Sequence, residues 1–600
     1  MKETLDKEIA LSQAHDHMSK IQDAITEETG RVAKTVSTYR KNGSASDDFV
    51  RQKLLQHFSD RQEQLEHLFP NPYFSRCDVV SQDGEKKTLY FSKFSFHEQS
   101  LFSWTTPAAR LRFLDLGQTS YPTQDQHNWN GTLLRKDQFM IVDGKIVFMT
   151  SEATDYGRTL VYQEKLSQKK AGFVLPEIVE RMERAQDDVI RAASDGSFLI
   201  AGPAGSGKTT LAFHRIAYLA QSPDTASRFA PEKMIVFVQD EGTRAYFSKL
   251  LPDLGIHNVH VTTFGVWAIE RLGLADYTAV RRPNGVDESI DAYEQHKLIG
   301  LRTASDQSVG SDPKKILREV YRSCLSVEET ARLENQLKRK ELDRFDLSVL
   351  LEARLRKGLL TKEEEYFETK KNFEIRRRNR TVPVAYSLIV LDEAQNYLPE
   401  QLSVLRTCMS SDTKAMLYVG DLGQQVLIGT LTDWAQAGES IAAERKVVLD
   451  KVYRNTKEIL NYIASVGFEV SVPEGLREGS LVSEKVFGSV DEQVEYVRAV
   501  VRAAEAGTQI GIIGPSQEGL VPFRNLDANH SYLHILTVHE AQGVEFETVI
   551  LVGFNEDFFA ASSDPELTKI KRDLFYVALT RAMDDLHVLH LESNPLLHQS

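Results

Sequence analysis

Residues 198–209 read Phe198-Leu199-Ile200-Ala201-Gly202-Pro203-Ala204-Gly205-Ser206-Gly207-Lys208-Thr209, and this stretch decides the fold. The apolar run at its start has no polar alternation, which is the pattern of a strand buried on both faces of a parallel sheet. Residues 202–209 form a complete phosphate-binding loop leading into a helix-forming stretch. Its glycines let backbone N–H groups turn inward around phosphate oxygens, while the next helix directs its positive end at the same point. Gly202, Pro203, Ala204, Gly205, Ser206, Gly207, Lys208, Thr209 and Thr210 are therefore expected to bind ATP. Lys208 would neutralise the β and γ oxygens and Thr209 would ligate Mg²⁺.

A second apolar strand, at 388–391, ends in Asp392-Glu393-Ala394-Gln395. Adjacent carboxylates at a strand end divide the work, Asp392 holding Mg²⁺ and Glu393 polarising the attacking water. Alone this pair is a weak signal, but downstream of a phosphate loop it is the expected partner. Further buried-type strands at 234–238 and 415–419 complete a first set, and those at 510–513, 549–552 and 586–589 make a second. The fold class is α/β with two parallel sheets. Between 275 and 383 lies a charged insert that reads as helical. It holds the densest basic cluster of the chain, Lys370, Lys371, Arg376, Arg377, Arg378 and Arg380. Such a run is either a solvated face or a contact for a phosphate backbone.

Upstream, Leu5, Ile9, Met18, Ile21, Ile25, Val32 and Val36 fall at helical spacing, turn-forming residues follow at 41–48, and Phe49 to Leu68 resume the pattern. An antiparallel helical hairpin over 1–70 results, either packed on its own domain or projecting as an arm. Short β-rich runs separated by Gly, Asp and Asn turns mark a small β-rich module over 71–170. The rest divides into 171–440, with its insert, and 441–600.

The net charge of −14 argues against a surface that coats nucleic acid indiscriminately, though not against a local basic channel. No apolar run reaches membrane-spanning length and the N-terminus is too charged for a signal peptide, so a cytoplasmic location and no membrane partner are expected. The three cysteines, Cys77, Cys324 and Cys408, lack zinc-site spacing.

Asp392-Glu393-Ala394-Gln395 resembles the form this motif takes in superfamily 1 helicases of the UvrD/Rep type, and further signatures follow in that family's order. The resemblance implies two RecA-like domains sharing one ATP. It implies that Gln186 reads adenine, that Gln424 in Gly420-Asp421-Leu422-Gly423-Gln424 senses the γ-phosphate, and that Tyr453 stacks on adenine. Arg454 and Arg581 become arginine fingers supplied by the second domain, and Glu545 joins the nucleotide site. Thr262, Phe264 and His539 are candidates for the path of a nucleic-acid strand. Asn71-Pro72-Tyr73-Phe74-Ser75-Arg76 and Ser103-Trp104-Thr105-Thr106-Pro107 resemble the HelD-like branch of that superfamily, whose members include RNA polymerase-associated motors.

Departures from the family pattern matter equally. The interval from Arg454 to Thr537 is too short for the large duplex-handling domain that UvrD proteins insert there. Gln425-Val426-Leu427-Ile428 follows Gln424 where relatives place a base-stacking aromatic, with Trp434 further on, and Gln542 replaces a usual lysine. Translocation along single-stranded DNA, with the family's 3′-to-5′ polarity, is the leading expectation. The alternatives are an ATPase that remodels RNA polymerase, or the motor of a repair or anti-phage system paired with a separate nuclease.

Overall fold

A computed structural model describes residues 2–41, 48–122, 128–142, 144–153, 184–282, 287–304, 312–369, 375–438, 440–449, 455–472, 476–505, 507–524, 526, 532–560 and 564–591. Two parallel sheets carry the chain's chemistry. In the first, six strands run in the order Lys446–Val448, Ser197–Ala201, Ala415–Gly420, Leu388–Leu391, Met234–Val238 and His260–Thr263, every neighbouring pair parallel. The four inner strands are buried along their whole length, as their unbroken apolar sequences require. In the second sheet, five strands run in the order Ser483–Val486, Ala582–His590, Phe546–Leu551, Ile510–Gly514 and Leu533–Thr537, again all parallel.

The sequence between His260–Thr263 and Leu388–Leu391 does not form an all-helical insert. Four helices, Glu288–Thr303, Pro313–Tyr321, Val327–Lys338 and Arg344–Leu355, surround the fully buried Lys297, whose ammonium meets Asp343 at 2.5 Å and Asp346 at 2.8 Å. The basic cluster then falls on a strand. Thr361–Thr369 and Ile375–Pro383 pair antiparallel, with Arg376 opposite Glu368 and Arg380 opposite Glu364. Arg380 also packs 5.3 Å from the Tyr366 ring centre. Glu, Lys and Arg favour helix, but opposed charges on adjacent strands supply cross-strand pairs that override this propensity. Arg380 is thus paired with Glu364, as on a solvated surface, while Arg377 and Arg378 stand opposite Phe367 and Tyr366 in the register. Lys370 and Lys371 lie outside the described residues.

At the N-terminus, Lys2–Lys41 and Asp48–Leu68 are the two helices. Their base is not free. Ala14, Met18, Ile21, Ile25, Leu65 and Leu68 share a core with Tyr90 and Phe139 of a six-stranded, largely antiparallel sheet over 75–153, and with Tyr73, Phe94 and Phe96 in the segments flanking its strands. The Tyr73 hydroxyl donates to the Ala14 carbonyl at 2.7 Å, and His17 stacks on Tyr90 at 3.8 Å. The other face of that sheet joins the core of the first parallel sheet: Phe74, Cys77, Phe91 and Trp104 pack with Phe213, Ile216 and Phe229.

Candidate functional site

Three loops leave the carboxyl ends of adjacent strands in the first sheet: the phosphate loop after Ala201, Asp392-Glu393 after Leu391, and Asp421 to Gln424 after Gly420. This edge is where open α/β sheets bind ligands. Gly202, Gly205 and Gly207 have φ of 152°, 71° and 83°, so the loop's turns need residues without a Cβ. The helix Lys208–Gln221 begins directly behind them. Lys208 curls back and donates to the Pro203 carbonyl at 2.9 Å, spanning the loop's mouth. Ser206 Oγ is buried with no hydrogen-bond partner, an acceptor and donor left for a phosphate oxygen.

The Thr209 hydroxyl donates to Asp392 Oδ1 at 3.0 Å. Two oxygen ligands of the kind Mg²⁺ prefers thus meet where the phosphate loop and the second strand end converge. Burial and the neighbouring Glu393 charge push the Asp392 carboxyl up to about 7, so a divalent cation there would favour its ionised form. The residues fit ATP and Mg²⁺.

Glu393 sits at φ 48°, a left-handed conformation costly for a residue with a side chain. Gln395 holds it there: its Nε2 donates to Glu393 Oε2 at 2.7 Å and to the Gln424 carbonyl at 3.4 Å, while its Oε1 accepts from the Asp421 amide at 3.0 Å. Asp421 in turn accepts from Gln424 Nε2 at 2.6 Å. A Cβ on Gly420 would collide with Gln395 Oε1, which explains the glycine at this close approach. One buried glutamine therefore ties the carboxylate pair to the Gln424 loop. Sequence reasoning gave Gln395 no role beyond its place in the motif.

The second sheet reaches this site through the helix Pro565–Leu579. Gln425 donates from its amide to Asp573 at 3.1 Å and from its side chain to Glu566 at 3.0 Å, and Lys569 donates to the Leu422 carbonyl at 3.0 Å. Further along the helix, the buried Tyr576 lies beside Ala204 of the phosphate loop. Arg581 follows, 6% exposed, its guanidinium bound to the Val577 and Val544 carbonyls and the Thr580 hydroxyl at 3.0, 3.4 and 3.1 Å. Asn455 clasps the Thr580 and Ala582 carbonyls at 3.4 and 2.6 Å. None of Glu566, Lys569 or Asp573 was singled out in the sequence, because contact between distant segments leaves no local spacing.

Gln186 is half-buried on the short helix Arg184–Ile190, which packs on the helix Lys208–Gln221. Glu545 is half-buried beside Val544, and Gln424 is buried. Tyr453 and Arg454 lie outside the described residues. Of the strand-path candidates, Thr262 is 1% exposed and Phe264 is turned into the core against Trp267, at the start of the helix Phe264–Leu272 that the Thr263 hydroxyl caps by accepting from the Val266 amide. His539 is half-buried among Arg282, Val426, Ile428 and Ile570, its imidazole pushed down to about 3 by burial and Arg282.

Family models match three consecutive stretches: the N-terminal domain of DNA helicase IV HelD at residues 11–165, an AAA domain at 186–430, and a UvrD-like helicase C-terminal domain at 523–593. The chain is thus similar to HelD over its N-terminal part and to UvrD-like superfamily 1 helicases over its C-terminal part. It is 31% identical over 123 residues to a probable DNA helicase II homolog of Rickettsia conorii, covering 20% of this chain and 18% of that protein. It is 42% identical over 62 residues to a probable DNA helicase II homolog of Mycoplasma pneumoniae, covering 10% of this chain and 9% of that protein. The matched segments thus span less than a fifth of these relatives. A solved C-terminal domain of a possible DNA helicase from Lactobacillus plantarun is 21% identical at a TM-score of 0.20, covering 25% of this chain and 94% of that one. Among the described residues no helix is long and apolar enough to cross a membrane.

Proposed function

We propose that the chain is an ATP-hydrolysing motor that moves along single-stranded DNA, with the two parallel sheets as the cores of its RecA-like domains, 171–440 and 441–600. The observation that carries this is the meeting of Thr209 and Asp392 at 3.0 Å, at an edge which the second domain also reaches through Asp573 and Glu566, both bound by Gln425. ATP with Mg²⁺ supplies the phosphoanhydride and the cation. Lys208 binds the phosphates, Glu393 holds and polarises the attacking water, and Gln424 senses the γ-phosphate. Arg581 and Arg454 stabilise transition-state charge when the cleft tightens, while Gln186, Tyr453 and Glu545 bind the nucleoside. DNA as the track comes from the likeness to proteins named DNA helicase II, and 3′-to-5′ polarity from the resemblance of the motifs to UvrD-type sequences.

A second reading has its own support. The match to the HelD N-terminal domain covers most of the hairpin and the β-rich module, and the resemblance to the HelD-like branch, whose members include RNA polymerase-associated motors, supports a motor whose substrate is an RNA polymerase complex. Measuring ATPase rates with single-stranded DNA, duplex DNA, RNA and RNA polymerase tests both. Stimulation by single-stranded DNA supports the first reading, and stimulation by polymerase without DNA supports the second. ATP hydrolysis absent under every condition overturns both.

A further inference from the structure

The β-rich module touches the segment that carries Gln186, through a clamp centred on Arg191. The Arg191 side chain is 4% exposed and uses each nitrogen. Its Nε donates to Asp187 at 2.8 Å, while its terminal nitrogens donate to the Trp104 carbonyl at 2.7 Å and the Thr106 carbonyl at 3.1 Å, both in the module. Arg110, also in the module, pairs with Asp188 at 2.9 Å. Asp187 and Asp188 directly follow Gln186, so the module grips the two residues that set where Gln186 points.

A second grip comes from the phosphate-loop helix. Arg215 donates to the carbonyls of Val189, Ile190, Ala192 and Ala193 at 2.8, 3.0, 3.2 and 2.6 Å, closing the C-terminal end of the same short helix. Trp104 completes the circuit: its ring lies edge-on to His214 at 5.6 Å, and His214 contacts the Thr210 carbonyl at 2.8 Å inside the phosphate loop's first turn. A short helix of this length has little stability of its own, and its pose depends on such anchors.

We propose that Arg191 is a positioning residue through which the β-rich module sets nucleotide affinity and base choice. This rests on the reading of Gln186 as the adenine contact. With the clamp intact, Gln186 is held ready for the adenine edge, so binding ATP costs little ordering. Released, the segment must be ordered on each binding event, and the loss falls on binding rather than on the chemical step. Because the same module packs on the base of the helical hairpin, whatever shifts the hairpin acts on the ATP site by the same route.

The test uses the full chain and fluorescent ATP and GTP analogues, with steady-state hydrolysis alongside. Arg191→Ala is expected to weaken ATP binding and raise KM about tenfold, leave kcat within about twofold, and reduce the preference for ATP over GTP. Arg191→Lys should recover part of the affinity. Arg110→Ala, at a more exposed position, should raise KM about two- to threefold, and it carries the test if Arg191→Ala fails to fold. Unchanged KM in a folded Arg191→Ala, or a fall in kcat with KM constant, overturns the clamp while leaving the ATPase reading intact. If Arg191→Ala does not fold, unchanged KM in Arg110→Ala overturns it. A wild-type chain that binds neither nucleotide overturns both.

Discussion

Thr209 and Asp392 lie 183 positions apart in the chain and within one hydrogen bond of each other, the threonine hydroxyl donating to the carboxylate at 3.0 Å. The pair brings an alcohol and an acid together beside Lys208 and Glu393, and the proposed function assigns the first of these neighbours to nucleotide and the second to the attacking water.

That division is testable. Lys208→Ala removes the charge on the β and γ oxygens and should abolish both nucleotide binding and turnover. Glu393→Gln keeps the shape of the site and its bond partner Gln395, so it should abolish turnover yet retain nucleotide. A fluorescent nucleotide analogue distinguishes them, and equal loss of binding in the two variants contradicts the roles assigned.

Arg581 is held by its own domain at Val577, Val544 and Thr580, and its approach to a γ-phosphate depends on where the helix Pro565–Leu579 sits. Arg581→Ala should lower kcat by about 10²-fold with a smaller effect on KM. Asn455→Ala loosens the clasp on Thr580 and Ala582 and should cost less, about fivefold to tenfold in kcat. Wild-type kcat in a folded Arg581→Ala contradicts a two-domain active site.

Histidines pushed down by burial set an acid limit on stability. The half-buried His17 and the buried His214 are lowered from about 6.5 to about 4, and His539 goes further, to about 3. The unfolded chain therefore binds protons that the folded chain does not between those values. Stability is complete above about pH 6.5 and is lost as pH falls towards 4, by at most about 1.4 kcal/mol per pH unit for each histidine. His214→Asn, which keeps a donor for the Thr210 carbonyl, should flatten the fall in melting temperature between pH 7 and 5. An unchanged slope shows that the imidazole is already protonated in the folded protein.

Much of this was legible in the sequence, and the remainder was hidden for physical reasons. The central apolar runs 198–201, 388–391 and 510–513 announced themselves because a strand segment buried on two faces carries no polar residue. The phosphate loop and Asp392-Glu393 were legible because their chemistry lies in consecutive residues. The basic run at 376–380 was misplaced on a helix because single-residue propensity says nothing of the glutamates opposite it. Phe264 looked available to a strand because the capping bond from the Val266 amide to the Thr263 hydroxyl, which turns it inward, is invisible in a motif. Lys297 with Asp343 and Asp346 has the spacing of solvated charges and is instead a buried cluster. Gln425 with Glu566, 141 positions apart, is a contact only the folded chain displays.

The hairpin reading is changed most by its packing. Removing residues 1–70 would strip Ala14, Met18, Ile21, Ile25, Leu65 and Leu68 from the aromatic core of the β-rich module. Such a truncation should lower the melting temperature steeply or cause aggregation, since each large buried side chain contributes about 2 kcal/mol or more. A shorter deletion, replacing residues 29–61 with a Gly-Ser turn, spares those contacts. It should keep basal ATPase and melt within a few degrees of the intact chain, while losing any partner captured by the distal part. Full stability of the larger truncation contradicts the shared core.

The most direct test of the DNA-driven ATPase is the rate of ATP hydrolysis by the intact chain and by Glu393→Gln, measured with Mg²⁺ across a titration of single-stranded DNA. Mg²⁺-dependent hydrolysis by the intact chain is expected to rise with DNA and saturate, with none above background in Glu393→Gln at any DNA concentration. Hydrolysis that persists unchanged in Glu393→Gln, or an intact chain that hydrolyses no ATP with or without DNA, contradicts a motor built on this site.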